Sequence, residues 1–346
     1  MTHLTSYNSD NLVIDLQSAE QIVKTNLNLI ENKITDFKSD LKPQPENLYQ
    51  PLAYILSLGG KRIRPLLLLL SASMFDKNQS VKACNAALAI EIFHNFSLVH
   101  DDIMDKAPLR RGMPTVHKKW DENIGILSGD VMMVKAFELL LNYEPKVSHQ
   151  LFSEFTKVAV EVCEGQQLDM DFEQKKEVSV DDYIEMIRLK TAVLLASSLK
   201  MGGIIADAPK DDLEHLYNFG INAGIGFQLQ DDFLDAFGDA DKVGKKVGGD
   251  IIANKKTFLT LKSFELANDE QKQTLTQLFE NKTKAENKKV EKVLELYKSL
   301  GIDNLSEKLI EEYYQKAIDS LDKISTDKEN KQPIRYILSL LSNRKY

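Results

Sequence analysis

Apolar residues recur at three- and four-residue spacing along almost the whole chain, and sustained two-residue alternation is absent. That periodicity predicts helices and no sheet. The nine prolines stand at 43, 45, 51, 65, 108, 114, 145, 209 and 333, so the strongest helix breaker is missing from 146–208 and from 210–332. Leu, Ala, Lys, Glu, Gln and Met fill these stretches, and all are good helix formers. The pattern predicts helices near 12–41, 52–57, 64–75, 79–106, 121–143, 146–173, 180–204, 210–237, 255–266, 269–280, 284–299, 303–324 and 331–343, with 43–51 as a connection. Residues 81–106 are apolar on most faces, which predicts a central helix buried all round. From 263 onward the helices turn polar and read as peripheral, while residues 1–10 read as frayed. No composition shift marks a boundary, so the expectation is an all-α fold in one domain spanning 1–346.

Composition adds little to this and excludes several classes. The 346 residues carry 44 Lys+Arg and 52 Asp+Glu, a formal net charge of −8, which argues against a general nucleic-acid binder. Two cysteines, Cys84 and Cys163, without a CxxC spacing suit core thiols in a reducing compartment and not a zinc site. The first residues show neither a basic nor an apolar signal region, and the longest apolar run, Pro65–Phe75, is too short for the ~20 residues of a bilayer span. A cytoplasmic protein with no integral membrane segment is the expectation.

The candidate chemistry begins with Asp101-Asp102-Ile103-Met104-Asp105. Asp101 and Asp105 are four apart and share one helix face, where like charges repel. Pro108 disfavours helix just before it, so the string sits at a helix C-terminus, the negative end of the dipole. Apolar flanks on both sides predict a largely buried acidic cluster, which in that place suits a hard cation taking oxygen ligands, Mg²⁺ above all. The string recurs 130 residues later as Asp231-Asp232-Phe233-Leu234-Asp235, again after an apolar helix and before Gly238. Two such ends facing each other would put carboxylates on both walls of one cavity.

Basic residues at glycine-rich turns form the second signal. Gly59-Gly60-Lys61-Arg62-Ile63-Arg64-Pro65 sets a flexible turn before a helix start, without the spacing of a Walker loop. Arg110-Arg111-Gly112 follows the first acidic string by five residues, and arginine forks bind phosphate oxygens bidentately. Lys245, Lys246, Lys255 and Lys256 bracket Gly248-Gly249-Asp250. Lys190-Thr191, Gly165-Gln166-Gln167-Leu168-Asp169 and the helical His94 and His100 are weaker signals that gain meaning only in company.

Together these residues resemble the trans-isoprenyl diphosphate synthases, the head-to-tail prenyltransferases. The pattern covers about 50–260, as a GGKRxRP loop, two DDxxD strings, an RRG, a KT pair, a GQxxD and a late lysine, in the family's order. The resemblance implies a helical bundle of the isoprenoid synthase type around a deep central cavity, working as a homodimer. It implies condensation of isopentenyl diphosphate with an allylic diphosphate and loss of pyrophosphate, which takes up the released proton. By position, Asp101, Asp105 and Asp231, assisted by Asp102, Asp232 and Asp235, would hold three Mg²⁺. Arg110, Lys190, Lys246 (or Lys245) and Lys255 would grip the allylic diphosphate. Gly60, Lys61, Arg64, His94 and Arg111 would grip isopentenyl diphosphate. The Thr191 hydroxyl and Gln228 carbonyl, with Lys190, would serve the allylic cation.

Phe96 and Ser97, the fifth and fourth residues before the first string, imply a short-chain C20 product, with C15 as the alternative and a plain core role open for Phe96. Arg344-Lys345 resembles a basic tail that closes over the second substrate in some relatives. A class I terpene cyclase would need an asparagine/serine-type second metal motif in place of Asp231–Asp235. A catalytically silent partner subunit should have lost acids or cations that are all present here.

Overall fold

The computed structural model describes residues 16–238, 247–280 and 286–343. It is 82% helical with almost no strand, which fixes the all-α class. In chain order the helices are α1 (Leu16–Ser39), α2 (Glu46–Ser57), α3 (Ile63–Phe75), α4 (Gln79–Met104), α5 (Val116–Lys119), α6 (Glu122–Leu139), α7 (Pro145–Gln174), α8 (Val180–Ile187), α9 (Val193–Ile205) and α10 (Lys210–Phe237). After them come α11 (Gly249–Ile252), α12 (Phe258–Leu266), α13 (Asp269–Glu280), α14 (Glu286–Ser299), α15 (Ile302–Asp322) and α16 (Lys328–Ser342). Local chemistry sets many of these starts. Pro145 opens α7, where its missing N–H costs nothing. Asp121 accepts from the Ile124 N–H to cap α6, and Ser179 with Asp182 forms a reciprocal capping box on α8.

The helix α4 is central, as its all-round apolar pattern predicted. It packs on α3 and α6 and buries Phe93, Ile90 and Leu88 at 0–1% exposure. A second core lies between α9, α10 and α15. The polar composition of 263–331 suggested peripheral helices, and α13 buries only Leu275. By contrast, α15 lies along α10 and sinks Ile310, Tyr314, Ala317 and Leu321 into the second core. Its four apolar positions form one narrow stripe, which is enough to seat a helix whose other faces are charged.

Four other expectations need correction. The 43–51 connection is partly helix: α2 begins at Glu46, and Pro51 is tolerated inside it, buried against the core. The 180–204 helix is interrupted by a π-helical turn, Arg188–Ala192. Lys255 lies in the link between α11 and α12, not in a helix. A two-residue hairpin, β1 (Leu109–Arg110) with β2 (Met113–Pro114), breaks the helical pattern. Its turn residues Arg111 and Gly112 both have positive φ (54° and 76°), the backbone of a tight hairpin turn, built here on Arg-Gly. Residues 1–10, Lys245, Lys246, Arg344 and Lys345 fall outside the described residues. Among those described, no helix is long and apolar enough to cross a membrane.

Candidate active site

Five elements converge on one cavity. Arg64 comes from the first turn of α3, and His94, Ser97, Leu98 and Asp101 come from the last three turns of α4. Val162 and Gln166 come from α7, Lys190 and Thr191 from the π turn, and Leu194 from α9. Arg64, His94, Ser97, Asp101, Gln166, Lys190 and Thr191 give the lining its polar and charged groups, and Leu98, Val162 and Leu194 give it apolar surface. Six of the residues expected from sequence (Arg64, His94, Ser97, Asp101, Lys190 and Thr191) therefore line a single space.

The π turn explains two weak sequence signals at once. Its extra residue shifts the helical register locally, as such turns do at functional sites, and Lys190 and Thr191 both reach the cavity. Gly165 is what lets α7 approach this turn. A Cβ there would lie 2.3 Å from the Lys190 backbone nitrogen. Gly165→Ala must therefore displace the turn, with an expected loss of about 1–3 kcal/mol and a parallel loss of activity. Thermal unfolding beside an activity assay checks this, and an unchanged melting temperature would show that α7 has room to move.

One turn further along α7, Asp169 accepts a 2.5 Å hydrogen bond from the Lys190 ammonium. Lys190 also lies close enough to Asp101 to draw its pKa down, against the larger effect of burial, which raises that carboxyl to about 6. Lys255 pairs with Asp250 at 3.4 Å. Burial acts to lower its pKa, but Asp250 and Asp169 outweigh burial and raise it. Charges thus alternate from Asp101 through Lys190, Asp169 and Lys255 to Asp250. The last donates its N–H to Asp235 at 2.9 Å. This row joins the first acidic string to the second.

Within each string the middle aspartate is set apart. Both oxygens of Asp102, 2% exposed, are taken by Arg110 at 2.7 Å. Both oxygens of Asp232, 7% exposed, are taken by protein groups, the Tyr183 hydroxyl and the Gln228 amide at 3.0 Å. Burial, then Asp250, pushes Asp232 up to about 7. Sequence spacing made all six aspartates candidate ligands, but the fold commits the middle pair to protein partners. Gln228 in turn accepts from the Thr191 hydroxyl at 3.3 Å, so the two expected neutral dipoles meet.

The basic residues divide in the same way. Burial, then Arg64, pushes His94 well below its usual pKa, so its neutral ring accepts at Nε2 from Arg64 at 3.2 Å. The Arg64 Nε is buried without a protein hydrogen-bond partner. Burial lowers Arg64 to about 10, which still leaves it charged at neutral pH. Arg111 donates to the Gly59 carbonyl, and its guanidinium lies where a Cβ on Gly60 would be, 2.8 Å away. With φ at +141°, Gly60 is confined to glycine on both counts.

Lys61 is exposed beside this turn. Arg62, which spacing left aside, is 4% exposed and bonds Glu91 at 2.5 Å, Glu31 at 2.9 Å and the Leu56 carbonyl at 2.8 Å. The sequence did carry a signal for it: Glu91 is the only Asp, Glu, Lys or Arg between Lys82 and Asp101. Of the two chain-length candidates, Ser97 lines the cavity, while Phe96 packs on Phe93 and His100, with centroids 5.4 and 4.7 Å away. Gln166, Asp169 and Asp250 lay inside motifs the sequence offered but were given no role there, and Tyr183 is the site residue that spacing did not single out.

Comparison with known proteins agrees with this geometry. The polyprenyl synthetase family model matches residues 45–297. A geranylgeranyl diphosphate synthase of Sulfolobus acidocaldarius is 37% identical over 304 residues, covering 86% of this chain and 91% of that protein. A geranylfarnesyl diphosphate synthase of Aeropyrum pernix is 32% identical, covering 91% of this chain and 99% of that protein. A crystal structure of a geranylgeranyl pyrophosphate synthase superposes with a TM-score of 0.85 at 45% identity, covering 95% of this chain and 99% of that one. With its fold, its two aspartate strings and its basic loops in the same order, this chain belongs to the polyprenyl synthetase family.

Proposed function

We propose that the chain is a Mg²⁺-dependent, short-chain prenyltransferase that joins isopentenyl diphosphate to an allylic diphosphate and releases geranylgeranyl diphosphate (C20). One observation carries this most: Arg64, His94, Asp101, Lys190 and Thr191 converge on a cavity that Leu98, Val162 and Leu194 line with apolar surface. Charged groups then stand where diphosphates bind, and hydrocarbon finds apolar surface.

The donor set fits the metal. Burial raises both Asp101 and Asp235, a direction that a bound cation would reverse. Among the described residues no three His, Cys, Asp or Glu side chains converge to hold an ion by themselves. Mg²⁺ suits such a site, because it takes one or two carboxylates and fills its shell with phosphate oxygens and water. Asp101, Asp105, Asp231 and Asp235 would hold up to three ions, with Asp102 and Asp232 acting through their protein partners. When bound, the metal neutralises the diphosphate and makes it a competent leaving group.

The chain's own residues do the rest. Lys190, Arg110 and Lys255 add positive charge on the allylic side. Lys61, Arg64 and Arg111, with neutral His94, bind the second diphosphate beside Gly60. Thr191 and Gln228 offer oxygen lone pairs to the developing allylic cation without trapping it.

Chain length ends where the apolar wall closes. The named geranylgeranyl relatives support C20. A small Ser97 on the lining, together with the geranylfarnesyl relative, favours C25 as the second reading. Ser97→Phe is expected to shorten the main product by at least one C5 unit. An unchanged product would take Ser97 off the growing chain's path.

The same proposal includes a homodimer. Leu127, Val134 and Leu141 stand seven residues apart along α6 and the turn after it, exposed by 57–64%, with Val160 of α7 at 54%. Such an apolar stripe is suited to a second copy. The deciding experiment supplies isopentenyl diphosphate with dimethylallyl, geranyl or farnesyl diphosphate, with Mg²⁺ and with EDTA, and sizes the products. EDTA-sensitive C20 formation is expected. No condensation with any primer would overturn the proposal.

A further inference from the structure

We propose that Tyr183 is a positioning residue for prenyl transfer, acting through Asp232 and Gln228 on the wall that Thr191 presents to the cavity. The proposal deepens the prenyltransferase reading and rests on it. Tyr183 is 2% exposed, its ring set in the second core, and its hydroxyl donates to Asp232 Oδ2. Gln228 Nε2 donates to Asp232 Oδ1 at 3.0 Å, and Thr191 Oγ1 donates to Gln228 Oε1 at 3.3 Å. The chain of bonds therefore runs from α8 to α10 and on to the π turn.

Its direction follows from donor inventories. Asp232 accepts from the Tyr183 hydroxyl at Oδ2 and from Gln228 Nε2 at Oδ1, so Gln228 turns its NH₂ toward Asp232 and its carbonyl oxygen toward Thr191. That oxygen takes the single hydroxyl hydrogen of Thr191, which leaves the Thr191 lone pairs to the cavity. A flipped amide would donate its N–H to Thr191 Oγ1 and turn the hydroxyl hydrogen of Thr191 toward the cavity, where it repels a developing cation. Asp232 sets the orientation, and Tyr183 holds Asp232 in place from an element that does not line the cavity. Removing the hydroxyl leaves Oδ2 buried without its donor, and the carboxylate then swings toward another partner, Lys255 being the nearby cation.

Tyr183→Phe keeps the ring and tests the idea. A fall in kcat of about 10–100-fold is expected, the range for losing such supporting partners, with KM for isopentenyl diphosphate within about twofold. Gln228→Met should lower kcat similarly. In the Gln228→Met background, Tyr183→Phe should cost almost nothing further, because the relay is already cut. Independent, multiplicative losses would overturn the relay, as would an unchanged kcat in Tyr183→Phe. If Tyr183→Phe does not fold, Asp232→Asn in both backgrounds reads the same coupling.

A readout free of turnover separates this from the activity itself. In ¹⁵N-labelled wild-type chain the Gln228 side-chain NH₂ should be protected from hydrogen exchange, and in Tyr183→Phe it should lose that protection. Equal protection in both would overturn the relay even in a chain that condenses nothing. Lost protection in an inactive wild type would leave the relay standing and count against the prenyltransferase function alone.

Discussion

Asp101→Asn is expected to lower turnover by about 10²–10³-fold or more and at the same time to stabilise the metal-free protein. Asp101 lines the cavity at the end of α4, and burial raises its carboxyl to about 6 from the ordinary 3.8 of an aspartate. The sign follows from protonation. Below about pH 4 the group is neutral in folded and unfolded chains alike. Between about 4 and 6 only the folded chain holds the proton, so stability falls as pH rises through this window. Above 6 the folded chain carries an ionised, half-desolvated carboxylate at full cost, of the order of 1–3 kcal/mol. Asparagine removes that cost along with the metal ligand. Denaturant midpoints of both proteins in EDTA at pH 4 and pH 7 check the claim. A wild type no less stable than the variant at pH 7 would refute the burial argument, and near-normal turnover would refute the metal site.

Glu91→Ala is expected to destabilise the fold by about 3–5 kcal/mol, the range for stranding one partner of a buried ion pair. Arg62 and Glu91 are 4% and 2% exposed, and Asn95 adds a 2.9 Å bond to the same carboxylate. Arg62 has φ of +48° at the start of α3, so its backbone is strained and its side chain is the clamp that holds it there. The clamp ties α1 through Glu31, α2 through Leu56 and α4 through Glu91. Glu31 is half exposed and cannot replace Glu91 as a buried counter-charge. Urea unfolding at pH 7 measures the loss, and a change under 1 kcal/mol would show that Glu31 and the Leu56 carbonyl satisfy Arg62 alone. Because Lys61 and Arg64 flank the clamp, affinity for isopentenyl diphosphate should fall with stability.

The acidic strings and basic loops were legible because their chemistry is local. Asp101 and Asp105 share a helix face by spacing alone, and Arg110-Arg111 stands out in any context. The partners of these groups were not legible. Nothing in the sequence near Asp232 points to Tyr183, 49 residues away, and nothing near Lys190 announces a π turn. Sequence weight fell on Phe96 for its bulk, yet the turn of α4 gives the cavity to Ser97 and the aromatic cluster to Phe96. Pro51 looked like a stop because proline's cost is local, whereas the burial that offsets it is tertiary. Arg-Gly made the hairpin turn in place of the Asn-Gly or Asp-Gly that sequence reading looks for.

That hairpin has a bearing on how the gene can vary. Its two arginines leave the turn in opposite directions, Arg110 to the first aspartate string and Arg111 to the glycine turn before α3. One added or deleted codon between Leu109 and Pro114 would swap or splay the two side chains and uncouple both loops together. Length variation among viable descendants of this gene should therefore avoid this stretch. A library of random single-codon insertions, selected for activity, would display that exclusion as a gap six codons wide.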